Sequence, residues 1–451
     1  MMQQDNAQMG MLERPSPLRA NRRGILRGAA ATAFAALLVS GKGGRALAQT
    51  APFYGPLRQD PAALLDLPEG FSYRIISRMG DAMDDGGTVP DRADGMGCFA
   101  LPGGKLALVR NHELKIMHDA GGTLLTGYDR DRAGHVLPGG TTTLVLNAAT
   151  LSVERQFRSL AGTIRNCAGG TTPWGSWLTC EEDVTRAGGK VGQDHGWVFE
   201  VPATATTQVE AVPLKAMGRF YHEAAAVDPE TRFVYMTEDR DDGLLYRFLP
   251  DTPGKLADGG KLQALALPHG TMADSRNWSG PDMVPGSWHA VRWIDLDDVE
   301  SPADDLRHRG AAAGALLFAR GEGIHMGEGE LFFCCTSGGA RQYGQVFRLS
   351  LTDGGDRLQL FFESRGPEEY NFGDNLTVAP NGHLIVCEDQ YTEVVDNYLR
   401  GITPQGVAYP LARLRRQTEL AGACFSPDGQ TLFVNAYSPA MTLAITGPWQ
   451  T

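Results

Sequence analysis

Asn166-Cys167-Ala168-Gly169-Gly170-Thr171-Thr172-Pro173-Trp174-Gly175-Ser176-Trp177-Leu178-Thr179-Cys180-Glu181-Glu182 is the stretch on which the fold is decided. A thiol beside small residues leads into a turn with Pro and Gly, and a short apolar run then ends in paired carboxylates. The layout recurs along the chain. Asp94-Gly95-Met96 leads through Pro102-Gly103-Gly104 to Asn111-His112-Glu113, and Glu223 leads through Pro229 to Glu238-Asp239-Arg240. Glu322 leads through Gly327-Glu328-Gly329 to Thr336, and Asp374-Asn375 leads through Pro380-Asn381-Gly382 to Glu388-Asp389. Ala421-Gly422 leads through Pro427-Asp428-Gly429 to Asn435.

Each copy reads as a hairpin, because β-prone apolar runs flank a Pro/Gly turn. Six hairpin-bearing units in a chain of 451 residues predict an all-β, six-bladed β-propeller, with blades of about 40–50 residues plus insertions. In five copies the leading slot lies six residues before the turn Pro or its Glu328 equivalent, at Cys167, Glu223, Glu322, Asp374 and Ala421. The first copy places Met96 there, with Asp94 two residues earlier. Around a propeller axis these positions form a ring, so five of the six copies aim a metal-capable side chain at one point. A second ring, Asn111, Glu113, Glu181, Glu182, Glu238, Asp239, Glu388 and Asp389, lies at the far ends of the same strands. Carboxylates facing one another in a channel repel and need cations. Oxygen ligands suit Ca²⁺ and Fe³⁺, and a thiolate suits a redox metal.

Composition is that of a globular protein, 42% hydrophobic and 21% charged, and its 56 Gly and 26 Pro fit a turn-rich β fold. The formal charge is −12. Residues 1–48 carry seven basic and two acidic side chains, so residues 49–451 stand near −17. Such a surface disfavours nucleic acid and anionic membranes, and an anionic substrate would need local cations. Asn21-Arg22-Arg23-Gly24-Ile25-Leu26-Arg27, the apolar run Ala29 to Val39 and Ala46-Leu47-Ala48 together read as a twin-arginine signal with its cleavage site. That run is too short for a membrane span. The expectation is export to the periplasm or medium with no membrane anchor, leaving residues 49–451 as one domain and a monomer.

The seven Cys include no CxxC pair, so zinc-ribbon and thioredoxin readings fail. Cys180, Cys334, Cys335 and Cys387 lie on strand runs and read as core residues. No G-x-S-x-G, Walker or dinucleotide fingerprint is present. Asp239-Arg240-Asp241-Asp242-Gly243 lacks EF-hand spacing. Arg320 lies two residues before Glu322, on the same face of a strand, where it could clamp a phosphate or pair with Glu322. His112 and His222 neighbour candidate ligands and read as structural or supporting residues before catalytic ones. Region 251–310 is the longest interruption, either an insertion at the channel mouth or solvent cover. Asp297 to Arg307 and Pro410 to Glu419 carry helix signals.

In Asn111-His112-Glu113, Asn166-Cys167-Ala168-Gly169-Gly170, Thr172-Pro173-Trp174-Gly175, Gly218-Arg219-Phe220, His222-Glu223-Ala224-Ala225, Arg320-Gly321-Glu322-Gly323 and Asp374-Asn375-Leu376, taken in this order, the chain resembles the PhoX-type alkaline phosphatases, as a compact branch. The resemblance implies a propeller with an iron–calcium cluster in its channel, cleaving phosphate monoesters and some diesters. It makes Cys167 a thiolate ligand to iron. It makes Glu182, Glu223 and Glu322 ligands of iron and calcium, with Glu181 an alternative to Glu182. Arg320 would bind the phosphate, and Glu113, Asp94 and Asp374 would add calcium ligands. Arg320, Glu322 and Glu223 are the expected catalytic set. Two other classes fit the residues less fully: a calcium-dependent propeller lactonase, which would use a His and need no Cys, and a non-catalytic calcium-stabilised binding protein.

Overall fold

The computed structural model describes residues 53–390 and 396–450; the expected twin-arginine signal over residues 1–48 lies outside the described residues. Six antiparallel sheets follow one another along the chain, as the hairpin repeat predicts. Blade 1 comprises Ala93–Leu101, Lys105–His112, Gly139–Asn147 and Val153–Thr163. Blade 2 comprises Asn166–Thr171, Ser176–Glu181 and Val198–Pro202. Blade 3 comprises His222–Val227, Val234–Glu238, Leu245–Pro250, Gly260–Ala266 and Arg292–Asp295. Blade 4 comprises Gly321–Met326, Glu330–Cys335, Gln345–Ser350, Arg357–Glu363 and Trp288–Ala290. Blade 5 comprises Gly373–Val378, Leu384–Glu388, Tyr398–Ile402 and Ala408–Leu414, with Leu65–Pro68 and Leu57–Arg58 added outside. Blade 6 comprises Leu420–Phe425, Thr431–Ala436 and Met441–Thr446.

The early strand Ser72–Arg78 completes blade 6, pairing Ser72 with Thr446 and Arg78 with Met441. The two ends of the described chain thus close the ring and leave fewer unpaired strand edges. Strands in the middle of a blade carry continuous apolar runs, such as Leu331 to Cys335 and Leu384 to Cys387, because both faces of a blade are buried against its neighbours. The result is one apolar cluster at each blade interface, for example Phe99, Val109, Trp177 and Phe199 between blades 1 and 2.

Two expectations need correction. Pro410 to Glu419 is not helical: Pro410 belongs to the strand Ala408–Leu414, paired with Arg400, and the one α-helix among the described residues, Leu306–Ala312, meets the other helix signal, Asp297 to Arg307, only at the last two residues of that range. The long region 251–310 is neither a mouth insertion nor plain solvent cover. It supplies outer strands to blades 3 and 4, with Leu265 facing Trp293 and His289 facing Leu358.

The innermost strands share a further feature. Each breaks its pairing with a bulge one or two residues after it begins, between Ala93 and Met96, Asn166 and Gly169, His222 and Ala225, Gly321 and Ile324, Gly373 and Leu376, and Ala421 and Cys424. A bulge re-aims the extra side chain. Here it turns Asp94, Cys167, Glu223, Glu322 and Asp374 toward the axis. Asp94, not Met96, therefore holds the slot in blade 1, because Met96 has already rejoined the ladder opposite Arg110. Beside the slots the strands nearly touch: a Cβ on Gly95 would lie 2.5 Å from Ala168 Cα, and one on Gly323 would lie 2.6 Å from Asn375 Cα.

Candidate active site

Because each hairpin returns, the second ring reaches the same end of the channel as the first. The two rings line a cavity of about 270 Å³ with Asp94, Glu113, Cys167, Glu182, Glu223, Asp239, Glu322, Asp374, Asp389 and Glu419. Against these nine carboxylates and one thiol stand four cations, Arg92, Lys115, Arg165 and Arg320. All eight residues expected from sequence converge here.

The paired acids at the return strands divide their work. Glu181 accepts from Ile164 N (2.9 Å), His195 Nδ1 (2.7 Å), Gly196 N (2.9 Å) and Trp197 N (3.2 Å), all from the segments that lead into the strands of blade 2. Burial opposes protonation of His195, but contact with Glu181 and Asp129 prevails and holds its pKa up, at about 9. Glu238 accepts from Tyr246 Oη (2.8 Å), and Glu388 accepts from Asn371 N (2.9 Å) and Arg400 Nε (2.6 Å). These first acids lock backbone and loops. The second of each pair, Glu182, Asp239 and Asp389, faces the cavity. The structure thus separates Glu182 from Glu181.

Three sets of donor atoms, each set within 4.8 Å, could hold a metal ion: Cys167, Glu182 and Glu223; Glu223, Glu322 and Asp374; Asp374, Asp389 and Glu419. Glu223 and Asp374 are shared, so the sets form one chain. The Cys167 thiol lies 3.4 Å from Glu223 Oε1 and 3.6 Å from Asp94 Oδ2. Buried oxygens of Asp94 (Oδ1), Glu223 (Oε2) and Asp389 (Oδ1) have no hydrogen-bond partner among the described residues. Such orphaned acceptors are costly unless a cation meets them. Burial, reinforced by the neighbouring carboxylates, pushes the pKa values of Asp94, Glu223 and Glu322 well up and that of Asp374 to about 7; it raises the Cys167 thiol likewise. Residues and charge both fit polyvalent cations.

The arginines follow a repeat of their own. Arg92, Arg165 and Arg320 each lie two residues before a slot, with φ of +56°, +48° and +52°. The carbonyl at this place accepts the second-ring N–H, from Glu113 (2.9 Å), Glu182 (2.9 Å) and Thr336 (3.0 Å) respectively. In blade 6 the same place holds Glu419, bonded by Tyr437 N at 3.1 Å. Arg165 bridges Glu113 (2.5 Å) and Glu182 (2.6 Å). Arg320 forks onto Asp239 (2.7 and 3.1 Å) and reaches Glu322 at 2.7 Å. Its left-handed backbone shows that it precedes the strand instead of sharing a face with Glu322 as a strand residue would.

The family model described as alkaline phosphatase PhoX matches residues 53–150 and 140–440. The chain belongs to the PhoX family. Among solved structures it is similar to Pseudomonas fluorescens PhoX in complex with vanadate, a transition state analogue, at 20% identity and a TM-score of 0.66, covering 85% of this chain and 96% of that one. A gluconolactonase of Xanthomonas campestris is also similar, at 14% identity and a TM-score of 0.42, covering 89% and 99%. No curated protein matches.

Within this PhoX-family chain, His112 and His222 do not line the cavity. His112 bonds Asp91 O and Thr142 Oγ1, both at 2.9 Å, and His222 bonds Gly218 O at 2.9 Å while stacking on Phe220. Sequence reasoning missed Glu419, Arg92, Arg165, Lys115 and Tyr437. The Arg-x-slot repeat was the signal for two of them.

Asn111 carries no metal-facing atom yet sets the position of Cys167. Its Nδ2 donates to Cys167 O and Ala168 O, both at 2.8 Å, and its Oδ1 accepts from Trp177 Nε1 (2.9 Å) and Thr179 Oγ1 (2.8 Å). Asn111→Leu removes all four bonds, although Thr179 Oγ1 still accepts from Asn166 Nδ2 (2.9 Å), so a loss of about 3 kcal/mol or more is expected in urea unfolding. A change under about 0.5 kcal/mol would refute that role.

Proposed function

We propose that this chain is an exported alkaline phosphatase that hydrolyses phosphate monoesters with Fe³⁺ and Ca²⁺ bound in the propeller channel. The observation that carries the reading is the chain of three donor sets sharing Glu223 and Asp374 in one buried cavity. Cys167, Glu182 and Glu223 would hold iron. Glu322 and Asp374, with Asp94 and Glu113 nearby, would complete the iron and calcium shell. Bound there, the metals would supply Lewis-acid charge for the phosphate oxygens.

The protein's own share is positioning and charge, which dominate phosphoryl transfer. Arg320 is 32% exposed while still forked onto Asp239. Its guanidinium is pre-aimed and can present remaining N–H donors to a phosphate. The inter-blade bonds fix the slots: Thr237 Oγ1 donates to Glu322 O (2.5 Å) and Asn435 Nδ2 to Asp94 O (2.6 Å). The lactonase reading needs a histidine in the site, and both candidates are turned away. Residues 1–48 would route the protein through the twin-arginine machinery to the periplasm or medium, as a monomer.

Mature protein folded with iron and assayed in calcium should hydrolyse a chromogenic phosphomonoester. A chelator or Glu322→Gln should abolish turnover. Well-folded, metal-loaded protein without turnover would overturn the phosphatase reading and favour a binding protein.

A further inference from the structure

The four cations of the cavity are not equivalent. Arg165 and Arg320 are each bonded to two carboxylates. Arg92 and Lys115, both from blade 1, form no ion pair among the described residues. The side-chain bond of Arg92 is from Nη1 to Tyr437 Oη at 2.9 Å, with the guanidinium carbon 5.3 Å from that ring's centre. Tyr437 in turn donates to Glu113 Oε2, so Arg92 is held in place through a neutral hydroxyl and keeps its charge unspent. Lys115 is exposed and follows the cavity residue Glu113 by two positions. A tight turn fixes its backbone: His118 N donates to Lys115 O (2.9 Å), and Lys115 N donates to His118 Nδ1 (3.0 Å). Two uncommitted cations therefore stand together on one side of a mouth that is otherwise strongly acidic, on a chain of net negative charge.

The geometry points to Arg92 and Lys115 as a distal anion subsite, so that the preferred substrates are phosphomonoesters whose leaving group carries a second phosphate. The inference rests on the phosphatase reading for its substrate class, but the subsite is a matter of binding. A group that touches the metal-facing carboxylates is committed to them, as Arg165 is to Glu113 and Glu182, and Arg320 keeps only part of its donor set for the phosphate at the metals. Cations at the rim are free to meet an anion that the ester's other end brings in. They also raise the local concentration of anions near an acidic protein, an effect that salt suppresses.

The test compares adenosine 5′-monophosphate with adenosine 3′,5′-bisphosphate, which differ by the second phosphate alone. Binding to the metal-loaded protein is measured by calorimetry and turnover by phosphate release, at low and high salt. For the wild type the bisphosphate should bind about tenfold more tightly, with an advantage in KM and not in kcat that shrinks with salt. Arg92→Gln and Lys115→Gln should each reduce that ratio, and the double variant should bring it to about one. Arg92→Lys and Lys115→Arg should keep most of it. Equal affinity of the wild type for the two nucleotides would overturn the subsite, as would a ratio unchanged in the double variant. Lys115 is exposed, so its variant reports even where an Arg92 change disturbs folding. Loss of turnover with the binding preference intact would count against the phosphatase reading and leave the subsite standing.

Discussion

In Glu223→Gln, phosphatase turnover falls by at least about 10³-fold, while the metal-free protein unfolds at a higher temperature than metal-free wild type. Both effects follow from one position. Glu223 belongs to two of the three donor sets, with Cys167 and Glu182 on one side and Glu322 and Asp374 on the other. A neutral amide there weakens both, so a lost ligand at this point breaks the chain of sites. Without metal the sign reverses. Glu223 is 1% exposed, its Oε2 has no partner, and its remaining bond is to the Cys167 thiol. Burial and then the charges of Asp374, Glu182, Asp94 and Asp239 push its pKa well up. A carboxyl held above its unfolded pKa opposes folding at neutral pH, and glutamine removes that term at nearly constant shape. Scanning calorimetry with and without iron and calcium, beside steady-state kinetics, reads both signs. A lower metal-free melting temperature for the variant would mark Glu223 as a structural residue and sink the argument.

How far the site could be read in advance depended on what fixes each position. The six-residue spacing to the turn located Cys167, Glu223, Glu322 and Asp374, because hairpin and bulge keep step in those blades. In blade 1 the inner strand is longer, the bulge falls earlier, and the count from Pro102 reached Met96 instead of Asp94. The paired acids were visible as pairs, yet their division of labour was not. Which of Glu181 and Glu182 turns inward depends on His195, Gly196 and Trp197 across the blade. Glu419 stayed hidden since it precedes a slot that holds Ala421, and its neighbours read as a helix until Pro410 proved to sit on a strand. The outer strands from 288–295 pair with partners far along the chain. No local pattern announces such contacts.

Gly422→Ala is expected to cost roughly 4 kcal/mol or more, although it adds one methyl group to a buried strand. In blade 6 the bulge begins at Gly422, one residue later than in the other blades. Gly422 has a φ of +62°, where an L side chain alone costs about 1–2 kcal/mol. The added Cβ would lie 2.2 Å from Asp94 O and 3.0 Å from Asn435 Nδ2. The first of these is backbone and cannot rotate away, and it is already held by Asn435 at 2.6 Å. On its other side Gly422 N donates to Asn375 Oδ1 at 2.5 Å, so blade 6 is bonded to blade 5 through Gly422 and to blade 1 through Asn435, with no room between them for a side chain at 422. Urea unfolding of the variant should show a lower midpoint. The neighbouring Ala421→Gly, in regular ladder opposite Asn435, should lose no more than about 1 kcal/mol. Because Asp94 would be displaced with the strand, calcium should also raise the variant's melting temperature less than it raises that of the wild type. Similar losses for the two variants would mean that the blade contact yields, and that something other than space keeps a side chain out of the sixth bulge. With the loss at Gly422 alone, the missing sixth ligand is a consequence of ring closure: the blade that seals the propeller passes too near its neighbours to carry one.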